Sequence, residues 1–131
     1  YSPGRTWEAT ARGFLGFMHL GDVLDAGSGD GTIAELLARR ARSVTCLDRS
    51  ERVLTAARER LAGLANVRFA PGDLESLPFP DGSFDQVLLA NVLVYAERPA
   101  RAVSEAARVL RDGGDLVVVS LAEHEHHAVV A

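Results

Sequence analysis

Apolar positions along the chain switch repeatedly between helical and strand spacing. From Thr6 to Leu20, the residues Trp7, Ala11, Phe14, Leu15 and Met18 recur at helical intervals. This predicts an amphipathic lead-in helix, stopped near Gly21 and packed outside a sheet. Asp22 to Ala26 (DVLDA) is a short apolar run ended by glycines, which reads as a strand. Helical periodicity returns from Thr32 to Arg42 through Ile33, Leu36 and Leu37. Ser43 to Leu47 (SVTCL), β-branched and closed by Asp48, predicts a second strand. Ser50 is suited to N-cap a helix reaching about Leu61, with Val53, Leu54, Ala57 and Leu61 inward and Gly63 as its stop. Asn66 to Ala70 (NVRFA) is a third strand, followed by a turn-rich stretch holding Pro71, Gly72, Pro78, Pro80, Asp81 and Gly82. Ser83 to Ala90 (SFDQVLLA) is a fourth, and its apolar second half suits a strand covered on both faces. Pro99 fits the first turn of a helix carrying Ala102, Val103, Ala106, Ala107 and Leu110, which Gly113-Gly114 is expected to end. Asp115 to Leu121 (DLVVVSL) is the fifth strand.

Strands alternating with helices at these spacings require parallel βαβ units with right-handed crossovers. The fold class is therefore α/β, with a mostly parallel sheet and helices on both faces. Without repeats, linkers or low-complexity blocks, residues 1–131 form one domain: a lead-in helix (1–21), a core (22–121) and a C-terminal segment (122–131).

Composition narrows the function. All 14 basic residues are arginine, as the sequence holds no lysine. That excludes a phosphate-loop lysine and Schiff-base chemistry. The net charge of −4 and the scattered arginines lack the footprint of a nucleic-acid binder. The lone Cys46 cannot form an internal disulfide and reads as a buried thiol in a reducing compartment. No apolar stretch is long enough to span a bilayer and no signal-peptide pattern opens the chain, so the expectation is a cytoplasmic protein with no membrane association. The chain begins without Met and stops at Ala131 without a polar tail, so both ends read as cut.

The strongest chemical signal is Val23-Leu24-Asp25-Ala26-Gly27-Ser28-Gly29-Asp30-Gly31, between the first strand and its helix. Gly27, Gly29 and Gly31 allow a tight turn and a close ligand approach, and the helix N-terminus behind them offers free N–H groups. The spacing is G-x-G-x-G rather than the dinucleotide G-x-G-x-x-G, and Asp25 stands two residues before the first glycine. A carboxylate there disfavours a pyrophosphate and favours a cationic group, such as the amino end of a methionine moiety. Asp48, ending the second strand, can accept both hydroxyls of a ribose. Gly72-Asp73-Leu74 supplies an acceptor and an apolar flank that suit an adenine. Asn91, at the end of the fourth strand, is positioned to face the methionine portion and its reacting methyl. Tyr95 follows, either packing under the domain edge or touching substrate. His124, His126 and His127 with Glu123 and Glu125 read as a solvated segment rather than a metal site.

Taken in order, VLDAGSGDG, CLDRS, GDLESLPFPDGSFDQVLLANVLVYAERP and LRDGGDLVVVS resemble the class I S-adenosylmethionine-dependent methyltransferases over roughly Val23 to Ser120. The likeness is greatest to the small-molecule branch that includes the ubiquinone-biosynthesis enzymes. CLDRSERVL and YAERPARAVSEAARVL also resemble methyltransferase domains fused to ArsR-type repressors. The resemblance implies a Rossmann-like sheet with S-adenosylmethionine over its carboxyl edge: methionine at Asp25, Gly27, Ser28, Gly29 and Gly31, ribose at Asp48 with Arg49 beside it, adenine at Asp73 and Leu74, and Asn91 near the methyl. Tyr1, Trp7 and Tyr95 are then the substrate-side candidates for a small-molecule acceptor; no catalytic residue and no metal is assigned. Val94 and Tyr95 replace the aromatic or histidine pair usual after the fourth strand. The family fold has two further strands, one antiparallel beside the fifth, and this sequence is expected to end before them. An open fifth-strand edge would then favour a longer chain or a homo-oligomer. Two rival readings remain: a non-catalytic S-adenosylmethionine-binding regulatory module, and a nicotinamide-dependent oxidoreductase.

Overall fold

The computed structural model describes residues 20–27, 29–90, 96–121 and 127–130. Six strands, β1 (Asp22–Ala26), β2 (Ser43–Asp48), β3 (Val67–Pro71), β4 (Phe84–Ala90), β5 (Leu110–Leu121) and β6 (His127–Val130), form one sheet in the order β3-β2-β1-β4-β5-β6. Helices α1 (Thr32–Ala38), α2 (Glu51–Arg60) and α3 (Pro99–Val109) connect them. Strands β1 to β5 are parallel. The chain winds outward from β1 through β2 to β3, then crosses to β4 on the other side. The strand order therefore reverses between β1 and β4, and such a reversal opens a crevice at the carboxyl edge.

The core lies on both faces of this sheet, which is why its central strands read as nearly continuous apolar runs. On one face, Val23, Val44 and Cys46 pack with Ile33, Leu36 and Leu37 of α1 and with Leu61 after α2. On the other, Leu24, Ala26, Leu47, Val87 and Leu89 pack with Ala106 and Val109 of α3. Alternation along β1 sends Asp25 to the same face as Val23. A carboxyl group is thus carried into the interior by the periodicity that buries its neighbours.

The amino edge of the sheet is closed by charge. The Asp22 carboxylate accepts from Arg42 Nη2 at 2.7 Å, Ser43 Oγ at 2.8 Å and Arg111 Nη1 at 3.0 Å. Asp85 accepts from the Asp22 N–H at 2.8 Å and from Arg111 at 2.9 Å. The Arg42 guanidinium beside it holds the Asp22 carboxyl well below the usual carboxylate range.

Three local differences from the sequence reading have physical causes. Helix α1 ends at Ala38 rather than Arg42, because Asn66 Nδ2 reaches across to the carbonyls of Ala38 and Ala41 at 2.9 and 3.2 Å. Helix α3 ends at Val109, not at Gly113-Gly114, because Leu110 is already extended and pairs with Phe84. The two glycines lie inside β5, where the pairing register shifts between Leu110 and Asp115. A Cβ on Gly114 would come within 2.7 Å of the Asp85 carbonyl.

The third difference is at the carboxyl end. The short strand β6 pairs antiparallel with Val118, Val119, Ser120 and Leu121 of β5. The edge expected to stand open is paired over these residues, and His127, expected in a solvated segment, begins β6 opposite Leu121. Of the lead-in helix expected over residues 6–20, only Leu20 is described and it is not helical; residues 6–19 and the acidic and histidine positions 123–126 lie outside the described residues. No helix among the described residues is long and apolar enough to cross a membrane.

Candidate functional site

Parallel register aligns the carboxyl ends of the central strands: Ala26 lies beside Leu47 and Leu89, and Asp48 beside Pro71. Just beyond these ends, the Gly27 N–H donates to the Leu47 carbonyl at 2.8 Å and the Gly72 N–H donates to the Asp48 carbonyl at 3.1 Å. The two bonds tie the turn after β1 and the turn after β3 to the end of β2. Asp25, the glycine turn, Asp48 and Asp73 therefore share one rim.

Backbone conformation requires glycine here. Gly29 and Gly31 have φ of 59° and 89°, where a side chain is strained. They differ in what surrounds them. A Cβ on Gly31 would stand 3.0 Å from Leu61 Cδ1, so this glycine lets α1 begin against α2. A Cβ on Gly29 would meet nothing within 4 Å, so this one faces open space. Asp30 steadies the turn, accepting from Thr32 N at 3.1 Å and Thr32 Oγ1 at 2.7 Å.

Asp25 is the most unusual group of the site. It is 1% exposed, and neither carboxylate oxygen has a hydrogen-bond partner among the described residues. Burial, with the nearby Asp48 charge as the second cause, pushes its pKa up to about 7. A buried acid left without donors is costly unless something absent from the chain completes it.

Asp48 is better held. Its Oδ1 accepts from the Ser50 N–H at 3.0 Å, while among the described residues Oδ2 receives a long 3.4 Å contact from the Gly29 N–H. That oxygen remains available to a stronger donor. Ser50 caps α2 as the sequence suggests, its Oγ accepting from Val53 N at 3.2 Å. Asp73 is exposed and uses Oδ1 to accept from the Glu75 N–H at 2.9 Å, forming a tight turn. Leu74 is half-buried against the α3-side core rather than standing free at the surface. Arg49 is exposed and lines a cavity of about 290 Å³ with Asp73, Glu75, Glu97, Arg98 and Arg101.

Of the residues singled out in the sequence, the rim unites Asp25, Gly27, Gly29, Gly31, Asp48, Arg49, Asp73 and, half-buried, Leu74. Tyr1, Trp7, Ser28, Asn91 and Tyr95 lie outside the described residues. Sequence reasoning missed Glu75 and Glu105, whose contacts hold the turn after β3 in place. The backbone N–H groups that their carboxylates accept from are more than twenty positions away, so no local spacing announces them.

Residues 24–118 match the methyltransferase domain family. The chain belongs to that family. This methyltransferase domain is 40% identical over 114 residues to a demethylmenaquinone methyltransferase of Tropheryma whipplei (strain Twist), covering 86% of the chain and 46% of that protein. It thus spans less than half the length of that relative. Phosphoethanolamine N-methyltransferase 1 of Haemonchus contortus, solved with phosphoethanolamine and S-adenosylhomocysteine, is similar with a TM-score of 0.77 at 29% identity, over 88% of this chain and 26% of that one. The cyclase SpnF has the same TM-score, 0.77, at 31% identity over 90% of this chain and 44% of its own. The shared architecture therefore serves more than one reaction.

Proposed function

We propose that the methyltransferase domain holds S-adenosylmethionine along the carboxyl rim of its sheet and transfers the methyl group to a small-molecule acceptor. The observation that carries this reading is Asp25, a buried carboxylate without donors beside a bare-backbone turn. A cationic ammonium is the partner that such a carboxylate lacks. The donor set fits the rest of the cofactor. Gly27, Ser28, Gly29 and Gly31 would line the methionine portion, Asp48 Oδ2 would accept the ribose hydroxyls, and the Asp73 carboxylate would accept the adenine amine. Leu74 would flank the ring, Arg49 would cover the ribose and adenine side, and Asn91 would border the methyl group. The acceptor would meet Tyr1, Trp7 and Tyr95.

When bound, S-adenosylmethionine supplies an electrophilic methyl group on a sulfonium, with its leaving group already installed. The chain's own work is then to orient the ligand and exclude water, and no general base is required of it. We place the protein in the cytoplasm.

A second reading is a regulatory module of the same fold, which would hold the cofactor on the same rim without turnover.

Thermal melting separates these readings from a nicotinamide enzyme. S-adenosylhomocysteine at saturating concentration should raise the melting temperature and NAD should not, and Asp48→Ala should abolish the response. Stabilisation by NAD alone, or an undiminished response in the variant, defeats the assignment. Release of S-adenosylhomocysteine from S-adenosylmethionine with quinol, amine or carboxylate acceptors distinguishes an enzyme from a binding module.

A further inference from the structure

Glu75 is not among the residues that the cofactor reading uses, yet it makes bonds that join two parts of the site. Its Oε2 accepts from the backbone N–H of Glu97 at 3.1 Å and of Arg98 at 3.2 Å. Its own carbonyl accepts from Arg101 Nε at 3.1 Å. Its N–H donates to Asp73 Oδ1 at 2.9 Å, and the Ser76 N–H donates to the Asp73 carbonyl at 3.0 Å. One residue therefore belongs at once to the Asp73 turn and to the start of α3.

The position of those two amides matters. Arg98 is the N-cap of α3, and its own side chain makes no capping bond. A carboxylate from another element accepts from the N-cap amide and from the amide before it, at the end of a helix where negative charge is favoured. Glu97 and Arg98 follow β4 in the chain and lead directly into α3.

A second attachment lies further along the same helix. Glu105 Oε1 accepts from the Leu77 N–H at 2.8 Å, and Arg108 binds the carbonyls of Leu77 and Phe79 at 3.1 and 2.9 Å. That attachment holds the later part of the β3–β4 connection, whereas the hydrogen bonds between the Asp73 turn and the start of α3 run through Glu75.

We infer that Glu75 is a positioning residue, which locks the Asp73 turn to the N-terminus of α3 so that ligand seated on the turn is felt at the end of the segment leading out of β4. The inference rests on the cofactor reading above. A ligand held by Asp73 orders the turn, and Glu75 hands that order to the Glu97 and Arg98 amides. The side chain touches neither the reacting methyl nor the acceptor.

The test uses S-adenosylhomocysteine as the probe, with calorimetric affinity and amide hydrogen exchange as readouts. In the unaltered protein, exchange at Glu97 and Arg98 should slow at least fivefold on saturation. Glu75→Ala should bind the probe at least tenfold more weakly and lose the exchange response at those two amides. Glu75→Asp, which keeps the charge but falls one methylene short, should behave alike and stands in if the alanine variant fails to fold. Glu75→Gln retains an oxygen acceptor at full reach and should bind within threefold of the unaltered protein. Affinity within threefold in both Glu75→Ala and Glu75→Asp, or exchange at Glu97 and Arg98 indifferent to the probe in the unaltered protein, overturns the inference. An unaltered protein that binds no S-adenosylhomocysteine at all fails the cofactor reading itself, and the positioning role goes with it.

Discussion

Asp25 holds its carboxyl group where water does not reach and no donor answers, so its ionisation is coupled to folding. Its pKa of about 7 lies above the ordinary 3.8. The folded state therefore binds the proton more tightly than the unfolded state, and the group's penalty is absent below pH 4. It grows as pH rises and is complete above about 7. At about 1.4 kcal/mol per pH interval of one, the ligand-free protein loses a few kcal/mol across that window. Melting curves of ligand-free protein should accordingly show a lower midpoint at pH 8 than at pH 5.5. Asp25→Asn should remove most of that difference while abolishing the response to S-adenosylhomocysteine. Equal pH dependence in the two proteins would mean that Asp25 does not ionise in this window. The sequence flagged this residue through its distance from Gly27. Its burial followed only from the alternation that sends Asp25 inward with Val23.

Between the elements, glycines with similar signatures do different work. Gly31 has φ of 89° and leaves no room toward Leu61, whereas Gly63 has nothing within 4 Å of a built Cβ. Gly31→Ala should cost roughly 1–3 kcal/mol from backbone strain and crowding. Gly63→Ala should change stability by less than about 1 kcal/mol. Urea denaturation of both variants checks the contrast, and similar losses at the two sites would contradict it. The same distinction explains what was legible. Strand and helix order could be read from spacing, and the Ser50 cap from its place ahead of an apolar run. The ends of α1 and α3 could not, because Asn66 and Phe84, which decide them, are brought there by tertiary structure. Gly113-Gly114 reads as a helix stop and serves instead as an irregularity within β5. Glu75 was invisible for a related reason: an acid in a turn acquires meaning only when a helix start arrives 22 positions later.

Over the molecule as a whole, the sheet has two outer strands of unequal kind. β3 is held by β2 and covered by α2, whereas the outer side of β5 is occupied by the four residues of β6. Removing residues 127–131 would leave Val118 to Leu121 without their antiparallel partner, an exposed apolar template for another chain. Light scattering after size exclusion should then report concentration-dependent dimers or larger species, and a monomer at every concentration would contradict this. That β6 exists was not legible in the sequence, since HAVV is too short to assert a strand without its partner. The two rims of the sheet differ as clearly as its two sides. Asp22, Arg42, Asp85 and Arg111 bond one another at the amino rim, and the carboxyl groups of Asp25, Asp48 and Asp73 lie at the carboxyl rim, roughly 10–15 Å away along the strands. Groups that far apart with no shared partner contribute additively. Resistance to heat or salt can therefore be retuned at one rim in evolution or by engineering while recognition at the other is left intact.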